Sequence, residues 1–284
     1  MNNYKPTFYN NIDNIVGEQD SFRISIDYDG NLVLLTQKEE KGKYLHRVFH
    51  FVNNEIRIIE IPNVSYPYDF AQPIDENWLL VSSRTGKDES LIKNATIYDV
   101  QGNVLDTFTI GDAIEDVQTT KKSDIWVSYY DESSDYSLSC FNKQGALIFD
   151  FIDFVKQSNN GIPYIDDCYA LNVTSDETVY TYYYSDFPLV KIEKGNFEIF
   201  NNIPVKGSHA FAIMNNFVLF NKGYNEEAKI HLYSINNKCL QSFNLLNLKG
   251  EILNYDDSVA RGSKFYFAKD KDIYLLKLED ILKL

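Results

Sequence analysis

The chain has 284 residues, 44% of them apolar and 15% aromatic, with 27 Lys and Arg against 41 Asp and Glu for a net charge of −14. That apolar and aromatic load excludes a disordered chain, and the negative field disfavours a phosphate-backbone partner, so no nucleic-acid role is expected. The longest apolar runs fall far short of the ~18 residues of a membrane span, so no membrane partner is expected.

Met1–Asn10 has neither a basic start nor an apolar core, so it does not read as a signal peptide. Cys140, Cys168 and Cys239 are odd in number, lack paired spacing and sit in strand-like apolar contexts. They read as three buried thiols of a reducing compartment, and the expected location is cytoplasmic.

The chain then repeats. Short β-branched and aromatic runs alternate with Asn, Gly, Asp and Ser breaks, the signature of antiparallel meanders. The residue ahead of each second strand is Asn31, Asn77, Asp124, Thr178, Asn216 and Lys264, with separations of 46, 47, 54, 38 and 48 residues. A mean period of 46.6 matches a four-stranded propeller blade of ~40–50 residues. The expected fold is all-β: a six-bladed β-propeller forming one domain over residues 1–284. Its blades fall at about 17–62, 66–110, 114–153, 166–203, 207–248 and 255–284. Only Asp280–Leu284 follows the third strand of the last unit, so residues 4–12 are expected to add its outer strand and close the ring.

The outer hairpins turn at Asn53-Asn54, Gln101-Gly102-Asn103, Lys143-Gln144-Gly145, Lys194-Gly195-Asn196 and Asn236-Asn237, residues that accept the positive φ of tight turns. The longest interval contains Ile152–Asp167, which reads as an elaborated loop. Asp153–Ser158 has room for one or two helical turns ended by Asn159-Asn160-Gly161. Trp126 sits in the best-formed strand and is expected to pack between neighbouring blades.

The run EDVQTTKKSDIWVSYYDE (Glu115–Glu132), with DCYALNV (Asp167–Val173) and YYYSDFPLVKI (Tyr182–Ile192), resembles uncharacterised bacterial β-propeller-like proteins of WD- or NHL-repeat type. The resemblance implies the fold and carries no activity. Where that family places a Gly-rich insert, this chain has Ser133-Ser134-Asp135-Tyr136.

Motifs of established chemistry are absent: no G-x-S-x-G, H-E-x-x-H, G-x-x-x-x-G-K or C-x-x-C occurs. His46 and His50 share a strand face, but lie ~13 Å apart, too far to share a metal. Three glycosylation sequons, at Asn63, Asn94 and Asn172, read as chance without a leader. In Tyr129-Tyr130 and Tyr182-Tyr183-Tyr184, alternate rings must face opposite sides of a strand.

One constellation remains. In a propeller every innermost strand starts on the same face, around the central channel. The residues leading into those strands are Asp20, Asp69, Glu115-Asp116, Asp166-Asp167, His209 and Asp256-Asp257. Asp also commonly precedes strands for turn reasons alone. Carboxylates gathered at one mouth, however, repel each other and call for a cation, water or basic side chain between them. Asp69, Asp116, Asp167, His209 and Asp257 are therefore the expected ligand-binding residues.

The expectation is a monomeric, non-catalytic binding scaffold that recognises a basic protein, peptide or other cationic ligand. A toxin-neutralising role suits its size and acidity. The alternative is a metal-dependent hydrolase or lyase with Ca²⁺ or Mg²⁺ in the channel and a carboxylate or His209 as general base.

Overall fold

The computed structural model describes residues 2–18, 20–85, 93–158 and 161–283. It is a six-bladed β-propeller, each blade a sheet whose first strand lines the axis. The innermost strands are Ser21–Ile26, Phe70–Ile74, Ile114–Thr119, Asp167–Val173, Phe211–Met214 and Asp257–Arg261. Each packs against the next, and the sixth against the first, so the ring is closed.

Closure comes from the N-terminus. Thr7–Asn11 pairs antiparallel with Asp272–Lys277 as the outer strand of blade six. Just before it, Asn2–Tyr4 adds a fifth strand to blade five, parallel to Cys239–Leu245, which the repeat count does not foresee. One short arm thus covers the outer edges of two adjacent sheets.

There is no single central core. Six apolar clusters occupy the six seams between blades, because each sheet is apolar on both faces. Tyr182 and Tyr183, adjacent in one strand, are both fully buried but belong to different seams, four–five and three–four. Trp126 lies in the three–four seam against Phe149, ring centroids 5.3 Å apart.

Three expectations need correction. Phe151–Ser158 is an eight-residue helix rather than a loop, with Phe151 and Val155 buried in the three–four seam. Asn159-Asn160, expected to end it, lie outside the described residues. Cys140 and Cys168 are buried, and burial pushes the Cys168 thiol up to about 12, but Cys239 is exposed at the start of an outer strand. The strand ruler also slips in blade five. The residue after each marker faces the preceding blade in Leu32, Trp78, Ile125, Val179 and Phe265, whereas Phe217 faces the following one and Val218 takes that role. A one-residue offset exchanges the two faces of a strand.

Two sequon asparagines are interior parts of the frame. Asn94 donates through Nδ2 to the Ser82 and Gly111 carbonyls and accepts from Ile110 N–H. Asn172 donates to the Phe211 carbonyl at 2.7 Å and accepts from Gly262 N–H at 2.8 Å, joining blades four, five and six.

Candidate functional site: the channel mouth

Five of the six innermost strands, with His209 and Ala210 just ahead of the fifth, line a cavity of about 270 Å³ on the channel axis. Its opposite end is closed by Arg261, 5% exposed, at the end of the sixth innermost strand. Arg261 Nε donates to the Val173 carbonyl at 3.1 Å. Its Nη1 donates to the Ile26 carbonyl at 3.2 Å and to Gln72 Oε1 at 3.1 Å. Its Nη2 donates to the Thr119 carbonyl. One guanidinium so joins blade six to blades one, two, three and four. Desolvation lowers its pKa to about 10, opposed by Asp27 and Asp116, and it stays charged at neutral pH.

Four of the five expected site residues, Asp69, Asp116, His209 and Asp257, share the wall of this cavity. Asp167 does not line it, although its carboxylate lies near enough to Glu115 and His209 to feel both. Burial, then Asp131 and Glu115, raise the Asp167 pKa. Asp20 is turned away: its Oδ2 accepts Gly17 N–H at 3.1 Å, outside the cavity.

Each carboxylate has local partners. Asp69 Oδ2 accepts from both Ser83 N–H and Ser83 Oγ at 2.8 Å. Asp116 accepts from Val117 N–H at 2.8 Å and from Gln118 Nε2 at 2.9 Å. Asp257 accepts from Ser258 N–H at 2.7 Å. Glu115 Oε1 lies 3.6 Å from His209 Nδ1, whereas Glu115 Oε2 is buried without a well-formed hydrogen bond. Desolvation raises Asp116 to about 6 and also raises Asp257.

Aromatic rings complete the wall. Tyr169 stacks on His209 with centroids 4.7 Å apart, and its hydroxyl meets that of Tyr224 at 2.5 Å. Tyr130 stands on the loop between the second and third strands of blade three. Burial, and then Glu115, push it up to about 12. Arg23, exposed on the first innermost strand, is the one arginine on this wall.

A divalent ion does not fit these donors. Ca²⁺ takes six to eight converging oxygens, yet among the described residues no three His, Cys, Asp or Glu side chains form a metal-ligand set. Asp69 and Asp116 direct oxygens to amides and a hydroxyl instead.

Two groups give the protein opposing pH responses. His46, fully buried, accepts Tyr68 N–H through Nε2 at 3.1 Å, and desolvation lowers it from 6.5 to about 4. Below pH 6.5 the unfolded chain takes a proton that the folded one refuses, so stability is lost as pH falls, by about 3 kcal/mol at pH 4. Asp116 is raised from 3.8 to about 6, so the folded state protonates first, and stability is gained as pH falls through 6, by about 2 kcal/mol at pH 4. The two should largely cancel. In His46→Gln, stability relative to wild type should rise by about 3 kcal/mol between pH 7 and pH 4, and in Asp116→Asn it should fall by about 2 kcal/mol. Denaturation curves across that range read both differences, and a pH-independent difference in either variant would contradict its assignment.

No curated protein matches this chain. Among solved structures, hydrazine synthase of Kuenenia stuttgartiensis aligns with TM-score 0.57 at 10% identity, over 97% of this chain and 82% of the other. Hsv2 of Kluyveromyces marxianus aligns with TM-score 0.54 at 12% identity, over 91% and 73%. Hsv2 of Kluyveromyces lactis gives 0.53 at 12%, over 91% and 75%. At such identities the likeness is one of fold alone. Residues 138–276, from the third strand of blade three to the third strand of blade six, match the YxzG family.

Proposed function

We propose that this protein is a non-catalytic binding module that receives a cationic group of a protein partner in the mouth of its channel. The observation that carries this reading is the composition of one cavity. Carboxylates from blades two, three and six meet there beside Phe70, Tyr130 and Tyr169, with Arg23 and His209 as its basic side chains.

Carboxylates give a cation its countercharge, and aromatic faces attract the same cation through their quadrupoles. A volume near 270 Å³ equals that of about nine waters at ~30 Å³ each, which suits one long side chain and not a helix of ~10 Å diameter. Capturing a basic side chain would mask it on the partner, and a toxin-neutralising role is one use of that.

Hexaarginine, titrated calorimetrically, is the test probe. Wild type should bind it with an affinity that falls as salt rises. The double variant Glu115→Gln/Asp257→Asn, which keeps the oxygen facing Ser258 N–H, should bind at least tenfold more weakly with unchanged melting. Equal affinities of variant and wild type would refute the site.

A further inference from the structure

We propose that Arg23 is a built-in competitor for the cation this mouth receives, its guanidinium standing in the carboxylate-lined space that an incoming cation would use. The inference rests on the binding reading above and adds the residue that sets its strength.

Arg23 belongs to the first innermost strand and shares the cavity wall with Asp69, Glu115, Asp116 and Asp257. Among the described residues its guanidinium makes no hydrogen bond and no ion pair. Three of the other four arginines are anchored: Arg47 to Glu60 at 2.8 Å, Arg84 to Glu132 at 2.5 Å, and Arg261 to four oxygens. Arg57 lies exposed on an outer strand away from the mouth. Arg23 has therefore not been committed to one carboxylate, although four lie around the same space.

Its charge acts across the mouth. It opposes the burial that raises the pKa of Asp257 in blade six and of Tyr130 in blade three, which stand on different sides of the axis. Neutralisation is nonetheless incomplete, with four carboxylates facing two guanidiniums, Arg23 in the wall and Arg261 beneath it, and the histidine. Glu115 Oε2 is buried without a well-formed hydrogen bond, only the Tyr130 hydroxyl standing near its carboxylate, so the group is under-satisfied. The mouth thus attracts a further cation while Arg23 repels it, and the balance sets affinity. Because Arg23 is exposed and makes no bonds, replacing it should leave the frame intact.

Arg23→Gln should bind hexaarginine about tenfold more tightly than wild type at low salt, and Arg23→Glu more tightly still. Arg23→Lys should match wild type, and the gain should shrink in 0.5 M salt. Binding seen only in Arg23→Gln would also support the proposal, since the competitor would then be hiding the site. If wild type binds and loses affinity in Glu115→Gln/Asp257→Asn, but Arg23→Gln binds equally or more weakly, the competitor role is overturned and the binding reading stands. If neither wild type nor Arg23→Gln binds hexaarginine, both fall together.

Discussion

Replacing Arg261 with methionine is expected to destabilise the protein by about 4 kcal/mol or more, although the side chains are similar in length. Arg261 reaches acceptors in four other blades from the bottom of the channel, and its removal leaves those acceptors short of donors in a site that water fills poorly. Asp116 compounds the loss. Its carboxylate is held in the same channel, and the guanidinium opposes the desolvation that raises it. Each hydrogen bond from such a charged donor typically contributes about 1.5–3 kcal/mol. Blade five is joined to the same hub through Gly262, whose carbonyl accepts Ile213 N–H at 2.8 Å. Arg261→Lys should recover only part of the loss, because an ammonium keeps the charge but cannot span four acceptors in a plane. Guanidinium chloride denaturation reads the difference, and a loss below about 1.5 kcal/mol for Arg261→Met would show that the hub carries no weight.

The sequence shows the ring but hides its hub, for a physical reason. Periodicity counts residues along the chain, and Arg261-Gly262-Ser263 lies where every other unit has a turn, so it reads as a hairpin. Only closure of the circle brings the end of the sixth innermost strand to the ends of the first, third and fourth. Arg23 is hidden for another reason. The residue leading into the innermost strand of blade one is Asp20, but the chain there folds Asp20 back onto Gly17. The side chain that enters the mouth comes three residues later.

One local turn signal recurs along the chain. Asp27-x-x-Gly30-Asn31 and Asp99-x-x-Gly102-Asn103 are the same five-residue turn. The first side chain accepts from the third and fifth N–H groups, and the glycine has φ near 81°. Asn142-x-x-Gly145-Ala146 and Asn247-x-x-Gly250-Glu251 repeat it with Asn in first place. Such a turn closes either an inner or an outer hairpin, so it fixes strand ends without saying which strand. The slip in blade five has a different cause. Asn77 and Lys264 are the first paired residues of their strands, opposite Ile74 and Arg261. Asn216 instead lies inside the turn, and Phe217 is the first paired residue, opposite Met214.

Trp126→Ala is expected to cost about 3–5 kcal/mol, the usual penalty for emptying a large aromatic site. Trp126 is the second residue of Ile125–Tyr129, and its neighbours in that strand point the other way: Ile125, Val127 and Tyr129 all pack in the two–three seam. The ring alone carries this strand's large apolar contribution to the three–four seam. There it joins Phe149 of its own blade with Cys168, Leu171 and Val179 of the next. Collapse into the space should be limited, since both flanking walls are sheet and the helix Phe151–Ser158 packs Phe151 and Val155 into the same cluster. Trp126→Phe should lose less, keeping an aromatic partner for Phe149. Trp78, in the one–two seam, offers a comparison because it also touches a polar ring, His50, at 5.2 Å. Chemical denaturation followed by circular dichroism is the measurement. A loss under about 1 kcal/mol for Trp126→Ala would mean that blades three and four hold together without this contact, and that the period-two packing assigned to the strand is wrong.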